Sequence, residues 1–202
     1  RYAGRTSVGE DREEAAVGSI DVQARVVLLA EVGDAVDRVE HAESRRAKCR
    51  DNGPDATLLQ ALRTLEPGLR VLLTHGTATG RAEGERLLRP GDAQAWLPWD
   101  TPEAVEAFLA HFQPCAGVLM ETEVWPVMVQ TCQQARVPLF LVNARLNAAS
   151  LRSAQRVSWL SGPAYRGLRA VWAQSEADAQ RLRSLGARVE GVLGNLKFDV
   201  QD

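Results

Sequence analysis

No apolar run in the 202 residues approaches the roughly 18 needed for a membrane-spanning helix. The opening stretch, RYAGRTSVGEDREEAA, is polar and acidic and lacks the apolar centre of a secretory signal. Any membrane contact must therefore come through a surface or through a part of the protein not included here. Cysteine is scarce. Cys49, Cys115 and Cys132 are far apart and form no C-x-x-C pair, which argues against both a disulfide framework and a thiolate zinc site. Reduced thiols in a cytoplasmic compartment are the expectation. His41, His75 and His111 are scattered as well, and none has a partner at metal-ligand spacing, so no metal and no cofactor is expected.

Charge of one sign is also missing. Lys and Arg number 24 against 26 Asp and Glu, a net charge of −2, which gives no electrostatic case for a nucleic-acid partner. The short cluster Arg45-Arg46-Ala47-Lys48 has no interleaved aromatics and reads as a solvated face or loop. No G-x-G-x-x-G follows the first ordered strand, and no P-loop or Ser-centred nucleophile elbow occurs. Dinucleotide binding, P-loop chemistry and serine hydrolysis are therefore disfavoured.

What is present is a regular alternation. Short apolar runs recur at Val71–Leu73, Ala95–Leu97, Gly117–Met120, Pro138–Val142, Ala170–Trp172 and Val189–Leu193. Between them lie segments of helical periodicity. Thr101–Phe112 puts Ala104, Val105, Phe108, Leu109 and Phe112 on one face, behind a Thr-Pro start. Trp125–Ala135 carries Trp125, Met128, Val129 and Cys132 at helical spacing, with Pro126 in the first turn. Ser175–Leu185 begins with the capping signal Ser175-Glu176-Ala177-Asp178 and stops at Gly186. Strands separated by helices imply βαβ units, so the fold class is α/β: a doubly wound parallel sheet covered on both faces. Residues 1–57 are expected to be poorly organised, with only Val26–Ala30 strand-like, and the organised domain spans 58–202.

Ligands of open parallel sheets bind at the carboxyl ends of the strands. That edge collects Thr77, Thr79 and Gly80 after the first of these strands, and Glu121 and Glu123 after Met120. It also collects Asn143 and Arg145 after Val142, Gln174 and Ser175 after Trp172, and Lys197 beyond Leu193. Small hydroxylated residues before a helix expose backbone N–H groups to an anion or a sugar. A carboxylate and an ammonium together can manage charge at a reacting centre.

Six motifs, THGTATG (74–80), WLPWDTPEAVEAFL (96–109), METEVWP (120–126), VNARL (142–146), WAQSEADAQRLRSLGA (172–187) and GNLKFD (194–199), occur in one order. In order and spacing they resemble the amino-terminal half of the 3-deoxy-D-manno-octulosonic acid (Kdo) transferases. The resemblance implies a Rossmann-like, acceptor-side lobe of an inverting, metal-independent glycosyltransferase of the two-lobed GT-B type. It implies CMP-Kdo as donor, bound mainly by a carboxyl-terminal lobe that would follow Asp202, and a lipid A precursor as acceptor. It places the work at the cytoplasmic face of the bacterial inner membrane, with peripheral membrane contact. Carried over by position in the motifs, the resemblance implies Glu121 and Lys197 as the catalytic pair, both expected to stabilise the transition state. Thr77, Thr79, Gly80, Glu123, Asn143 and Arg145 are the substrate-binding candidates, Glu123 in a supporting role, either capping the following helix or orienting its neighbour.

Two departures follow. The family's general base is the Glu of an H-x-x-S-x-G-E motif, whose place falls near Asp51, where the local KCRDNG does not match. Ser7–Glu10 spells S-V-G-E, far too early and with no strand before it, so Glu10 is a weak candidate. A shifted reading frame over residues 1–57 would account for the mismatch. The second departure is the ending at Asp202, from which the chain alone is expected to be inactive. The alternatives are a stand-alone α/β module for an anion or sugar, or a lobe of another GT-B nucleotide-sugar transferase.

Overall fold

The computed structural model describes residues 25–30 and 54–194. Seven strands and seven helices alternate through them. The strands are β1 (Arg25–Ala30), β2 (Arg70–His75), β3 (Ala93–Trp96), β4 (Ala116–Met120), β5 (Leu139–Ala144), β6 (Ala170–Ala173) and β7 (Val189–Val192). The helices are α1 (Pro54–Leu65), α2 (Ala78–Glu85), α3 (Pro102–Phe112), α4 (Pro126–Gln134), α5 (Ala148–Arg156), α6 (Ser158–Gly167) and α7 (Glu176–Ser184). Every apolar run expected to be a strand forms one. The three anticipated helix starts hold too, with Thr101 and Ser175 each accepting a backbone N–H as caps and Pro126 in the first turn of α4.

One sheet contains all seven strands in the order β3-β2-β1-β4-β5-β6-β7. β2 pairs parallel with β3, and β4 through β7 pair parallel in succession. β1 departs from the expected all-parallel sheet, since it runs antiparallel to both β2 and β4. An almost continuous apolar run carries no information about strand direction, so the sequence does not distinguish the two senses of β1. Because β1 is antiparallel to both neighbours, β2 and β4 still point the same way. The carboxyl ends of six strands therefore share one edge. The order reverses between β1 and β4, which is where an open α/β sheet presents its crevice.

Strand alternation sends side chains to two cores. Leu72, Leu119, Leu139, Leu141, Val171 and Ala173 pack beneath α3, α4, α6 and α7. Val71, Leu73, Val118, Met120, Phe140 and Trp172 face the layer that holds Leu58, Leu59 and Leu62 of α1. β4 and β5 are buried along their whole length. Each such Leu or Phe contributes about 1.5–3 kcal/mol by leaving water, which is why these two strands form a rigid base for whatever follows them. α2 lies close against β2. A Cβ at Gly84 would come within 2.3 Å of His75 Cε1, so only glycine permits that approach.

One charged contact ties the α1 side together. Arg63 and Asp92 form an ion pair with side chains 7% and 3% exposed. Asp92 Oδ1 accepts from Val71 N at 3.0 Å and Oδ2 from Arg89 N at 2.7 Å, while Arg63 Nη1 donates to Leu87 O at 2.9 Å. Burial pulls the Arg63 guanidinium below its ordinary value, and the Asp92 carboxylate opposes that shift. Removing Asp92 would strand the Arg63 charge and two backbone donors. Asp92→Ala is expected to lower stability by about 3–5 kcal/mol, read as a fall in the urea midpoint, with Arg63→Met partly restoring it in the double variant. An unchanged midpoint would refute the assignment.

Candidate functional site

The site grows out of the β4–β5 pair. Their ladder runs in register from Gly117–Leu139 to Met120–Val142. It then continues beyond both strands, with Glu121 N donating to Val142 O at 3.0 Å and Arg145 N donating to Glu121 O at 3.1 Å. This continuation requires sharp bends. Glu121 has φ +56° and Asn143 has φ +51°, both left-handed. Asn tolerates that region through its short polar side chain, but a Glu there costs about 1–2 kcal/mol. A strained, half-exposed carboxylate at the end of a buried strand points to function more than to stability.

Glu123 follows in a tight turn, its N–H donating to Met120 O at 3.2 Å. Burial pushes its carboxyl above the usual range. The Trp125 indole N–H opposes part of the shift, and the Glu121 charge adds to it. That indole N–H is buried and makes no hydrogen bond of full geometry, so it lies close to the carboxyl without closing on it. Of the two supporting roles open to Glu123, capping α4 is not the one it takes. The helix starts at Trp125 without a side-chain cap from its own chain segment. Asp100 supplies the cap from the loop after β3, with Oδ2 accepting from Val127 N at 3.2 Å and Oδ1 from Met128 N at 2.8 Å. A carboxylate on two N-terminal N–H groups satisfies orphan donors and the helix dipole together. Asp100 was missed because the contact links WLPWD to Val127 and Met128 across more than 25 intervening residues, a distance over which periodicity carries no signal.

Asn143 is buried and Arg145 is exposed. Gln174, at the end of β6, is a further member: its N donates to Ala144 O at 2.9 Å and its Nε2 to Asn143 O at 2.9 Å. The β4, β5 and β6 ends are thus stitched together through their backbones. Thr77 caps α2, its Oγ1 accepting from Gly80 N at 3.1 Å, with Gly80 buried and Thr79 exposed. These three residues follow β2, so they stand two strand spacings from β4, roughly 10 Å across the β1 slot. Glu121, Glu123, Asn143 and Arg145 come together, and Thr77, Thr79 and Gly80 form the opposite lip. Lys197 and Glu10 lie outside the described residues. Among the described residues no group of three His, Cys, Asp and Glu is placed to hold a metal ion.

The same edge carries exposed aromatics. Trp99 is 85% exposed and Trp96 53%, in the run from β3 into α3, with the Arg81 guanidinium 5.2 Å from the Trp96 ring. α6 returns the chain to the start of β6, so its first turn, with Trp159 76% exposed, lies toward the carboxyl edge. α5, which precedes it, buries none of its residues and shows Arg152 and Arg156 to solvent. No helix among the described residues is long and apolar enough to cross a membrane.

The raised Glu123 carboxyl has a thermodynamic consequence. Its folded value lies above the unfolded one, so the folded state holds more protons between them, and stability falls as pH rises from about 4.5 through the raised value. Glu123→Gln is expected to be more stable than the parent at neutral pH and to lose that part of the slope. Urea midpoints across pH 4 to 8 would show it, and identical slopes in the two proteins would contradict the assignment.

Comparison with known proteins adds the family. Residues 55–200 match the family model described as 3-Deoxy-D-manno-octulosonic-acid transferase (kdotransferase). The 3-deoxy-D-manno-octulosonic acid transferase of Bordetella pertussis is 50% identical over 148 residues, covering 71% of this chain and 34% of that protein. The Haemophilus influenzae transferase is 26% identical over 145 residues, covering 71% and 34%. A probable mitochondrial transferase of Arabidopsis thaliana is 33% identical over 84 residues, covering 42% and 19%. The chain spans about a third of the length of the bacterial relatives it matches.

Proposed function

The chain belongs to the 3-deoxy-D-manno-octulosonic-acid transferase family, and from that premise we propose that it forms the acceptor-binding part of a glycosyltransferase. In this reading the enzyme moves Kdo from CMP-Kdo onto a lipid A precursor in lipopolysaccharide synthesis. Residues 58–202 are the acceptor-side lobe, and the donor is held mainly by a second lobe of the complete enzyme. The observation that carries the reading is the Glu121 carboxylate, held in a left-handed conformation at the point where the strand order reverses.

Transfer from a CMP-sugar develops positive charge at the anomeric carbon and negative charge on the departing phosphate. A fixed carboxylate stabilises the first and a fixed ammonium the second, provided neither must reorganise during the step. Glu121 takes the first role and Lys197, beyond β7, the second. Arg145 and Asn143 beside Glu121, and Thr77, Thr79 and Gly80 on the opposite lip, supply cationic and N–H contacts for the anionic sugar and acceptor phosphates. Glu123 backs Glu121 from a less polar setting.

The acceptor is a lipid, and the exposed rim suits its delivery. Trp96, Trp99 and Trp159 present apolar rings with polar tips, and Arg152 and Arg156 stand by Trp159 in the chain. That combination favours lying on an anionic interface over spanning it. The proposed place of action is the cytoplasmic face of the bacterial inner membrane.

Two measurements test this reading. In the full-length product of the gene, Glu121→Gln is expected to lower Kdo transfer from CMP-Kdo to a lipid A precursor by about 100–1000-fold while the protein stays folded. Transfer at the parental rate would remove Glu121 from the chemistry, and no transfer by the parent enzyme would remove the function itself. For the membrane contact, cosedimentation with vesicles of anionic phospholipid is expected to weaken at least about 10-fold in the Trp99→Ser, Trp159→Ser variant. Equal sedimentation of variant and parent would rule out the tryptophan rim as the contact.

A further inference from the structure

Asp178 is a buried carboxylate, 7% exposed, that belongs to none of the substrate contacts above. It sits in the first turn of α7, where Ser175 Oγ accepts from Asp178 N at 3.2 Å and the Ser175 hydroxyl donates to Asp178 Oδ2. If the carboxylate only completed a helix cap, both its oxygens would serve α7. Instead Oδ1 reaches out of the helix and accepts from Leu146 N at 2.9 Å in a buried bond. Arg181, one turn along α7, donates from Nη1 to Leu146 O at 3.1 Å and stands 3.5 Å from Asp178 Oδ1. The two side chains therefore hold the backbone of Leu146 at both its N–H and its C=O.

Leu146 follows Arg145 directly, and Arg145 N is the donor to Glu121 O. Fixing Leu146 on one side of Arg145 and Asn143 O on the other, through Gln174 Nε2, leaves the Asn143–Arg145 turn no freedom to unwind. The left-handed backbone of Asn143 and Glu121 relaxes if that turn opens, because strained φ values persist only where neighbours over-determine them.

We propose that Asp178, with Arg181 as its partner, is a positioning residue for transfer: it anchors the 143–146 turn and, through the Arg145–Glu121 backbone bond, sets the direction of the Glu121 carboxylate. The inference rests on the role given to Glu121 above. The bonds of Asp178 run to Leu146, Ser175 and Arg181, so its effect falls on the geometry of the charged transition state more than on acceptor affinity.

The test has two arms. In the chain itself, NMR-detected amide exchange is read at Arg145 and Glu121, neither of which bonds to Asp178. Asp178→Ala is expected to speed exchange at both about 10-fold or more, while amides within β4 and β5 keep the parental rate. In the full-length gene product, Asp178→Ala is expected to lower kcat about 100-fold with acceptor KM moving less than about threefold. Asp178→Asn, which keeps an oxygen acceptor for Leu146 N, is expected to recover most of kcat. A purely structural role predicts a lower melting temperature with parental kcat per folded molecule and uniform acceleration of exchange, and that result overturns the proposal. If Asp178→Ala does not fold, Arg181→Ala, whose side chain is part-exposed, carries the same two readouts with smaller changes of the same pattern, and parental values there are equally fatal. The two readings separate: transfer unaffected by Glu121→Gln discredits the role of Glu121, whereas transfer lost in Glu121→Gln but retained in folded Asp178→Ala discredits the positioning alone.

Discussion

The hydrogen bond from Arg145 N to Glu121 O, 3.1 Å long, is the constraint on which the rest of the site depends. It extends a parallel ladder past the point where both strands bend into the left-handed region at Glu121 and Asn143. Without it, the loops after β4 and β5 are two independent excursions, and their side chains have no reason to converge. With it, the two loops become one piece of backbone continuous with two fully buried strands. The energetic balance favours the arrangement. Two left-handed residues cost a few kcal/mol, whereas the apolar side chains of β4 and β5 contribute several times that by burial. The sheet absorbs the strain, and the site keeps its geometry.

The helices contribute direction rather than mass. α4 leaves the site immediately after METEVWP, and its first N–H groups are held by Asp100 from a different loop. α7 leaves after β6, and its first turn reaches back through Asp178 to Leu146. In both cases a carboxylate does double duty, satisfying helix-start donors or the helix dipole while locking a neighbouring loop. Carboxylates suit this work because an ionised oxygen accepts from more than one N–H, and a buried backbone donor without an acceptor costs more than the bond returns. The edge thus acquires rigidity from its helix starts, where a loop-rich edge would otherwise be the softest part of the fold.

Much of this was legible in the sequence, and the limits have physical causes. Apolar runs gave the strands because parallel strands are buried on both faces, so Gly117–Met120 and Pro138–Val142 stand out against any background. Local caps were equally plain, since Thr77, Thr101 and Ser175 each bond within three residues of themselves. Asp100 and Asp178 were not read as clamps because each reaches an element more than 25 residues away, and nothing in a residue's own window reports such a bond. The direction of β1 was hidden too, since Val26–Leu29 is apolar throughout and supports either sense of pairing. Left-handed Asn143 follows from its residue type, but left-handed Glu121 runs against its type, and only the three-dimensional pairing imposes it.

That last contrast bears on how the two carboxylates of METEVWP divide their work. They are separated by one residue and share a charge sign, so proximity alone would make them alike. Their surroundings do not. Glu123 lies half-buried beside Trp125 and Val124, where burial and the neighbouring Glu121 charge both favour its neutral form. Glu121 stands at the bend, tied through its carbonyl to Arg145, at the strand-order reversal. Of the two, Glu121 has the backbone that is fixed on both sides, its N–H on Val142 O and its carbonyl accepting from Arg145 N. The strain at Glu121 is the cost of bending the chain at the end of β4 while keeping its backbone paired to β5 and to Arg145.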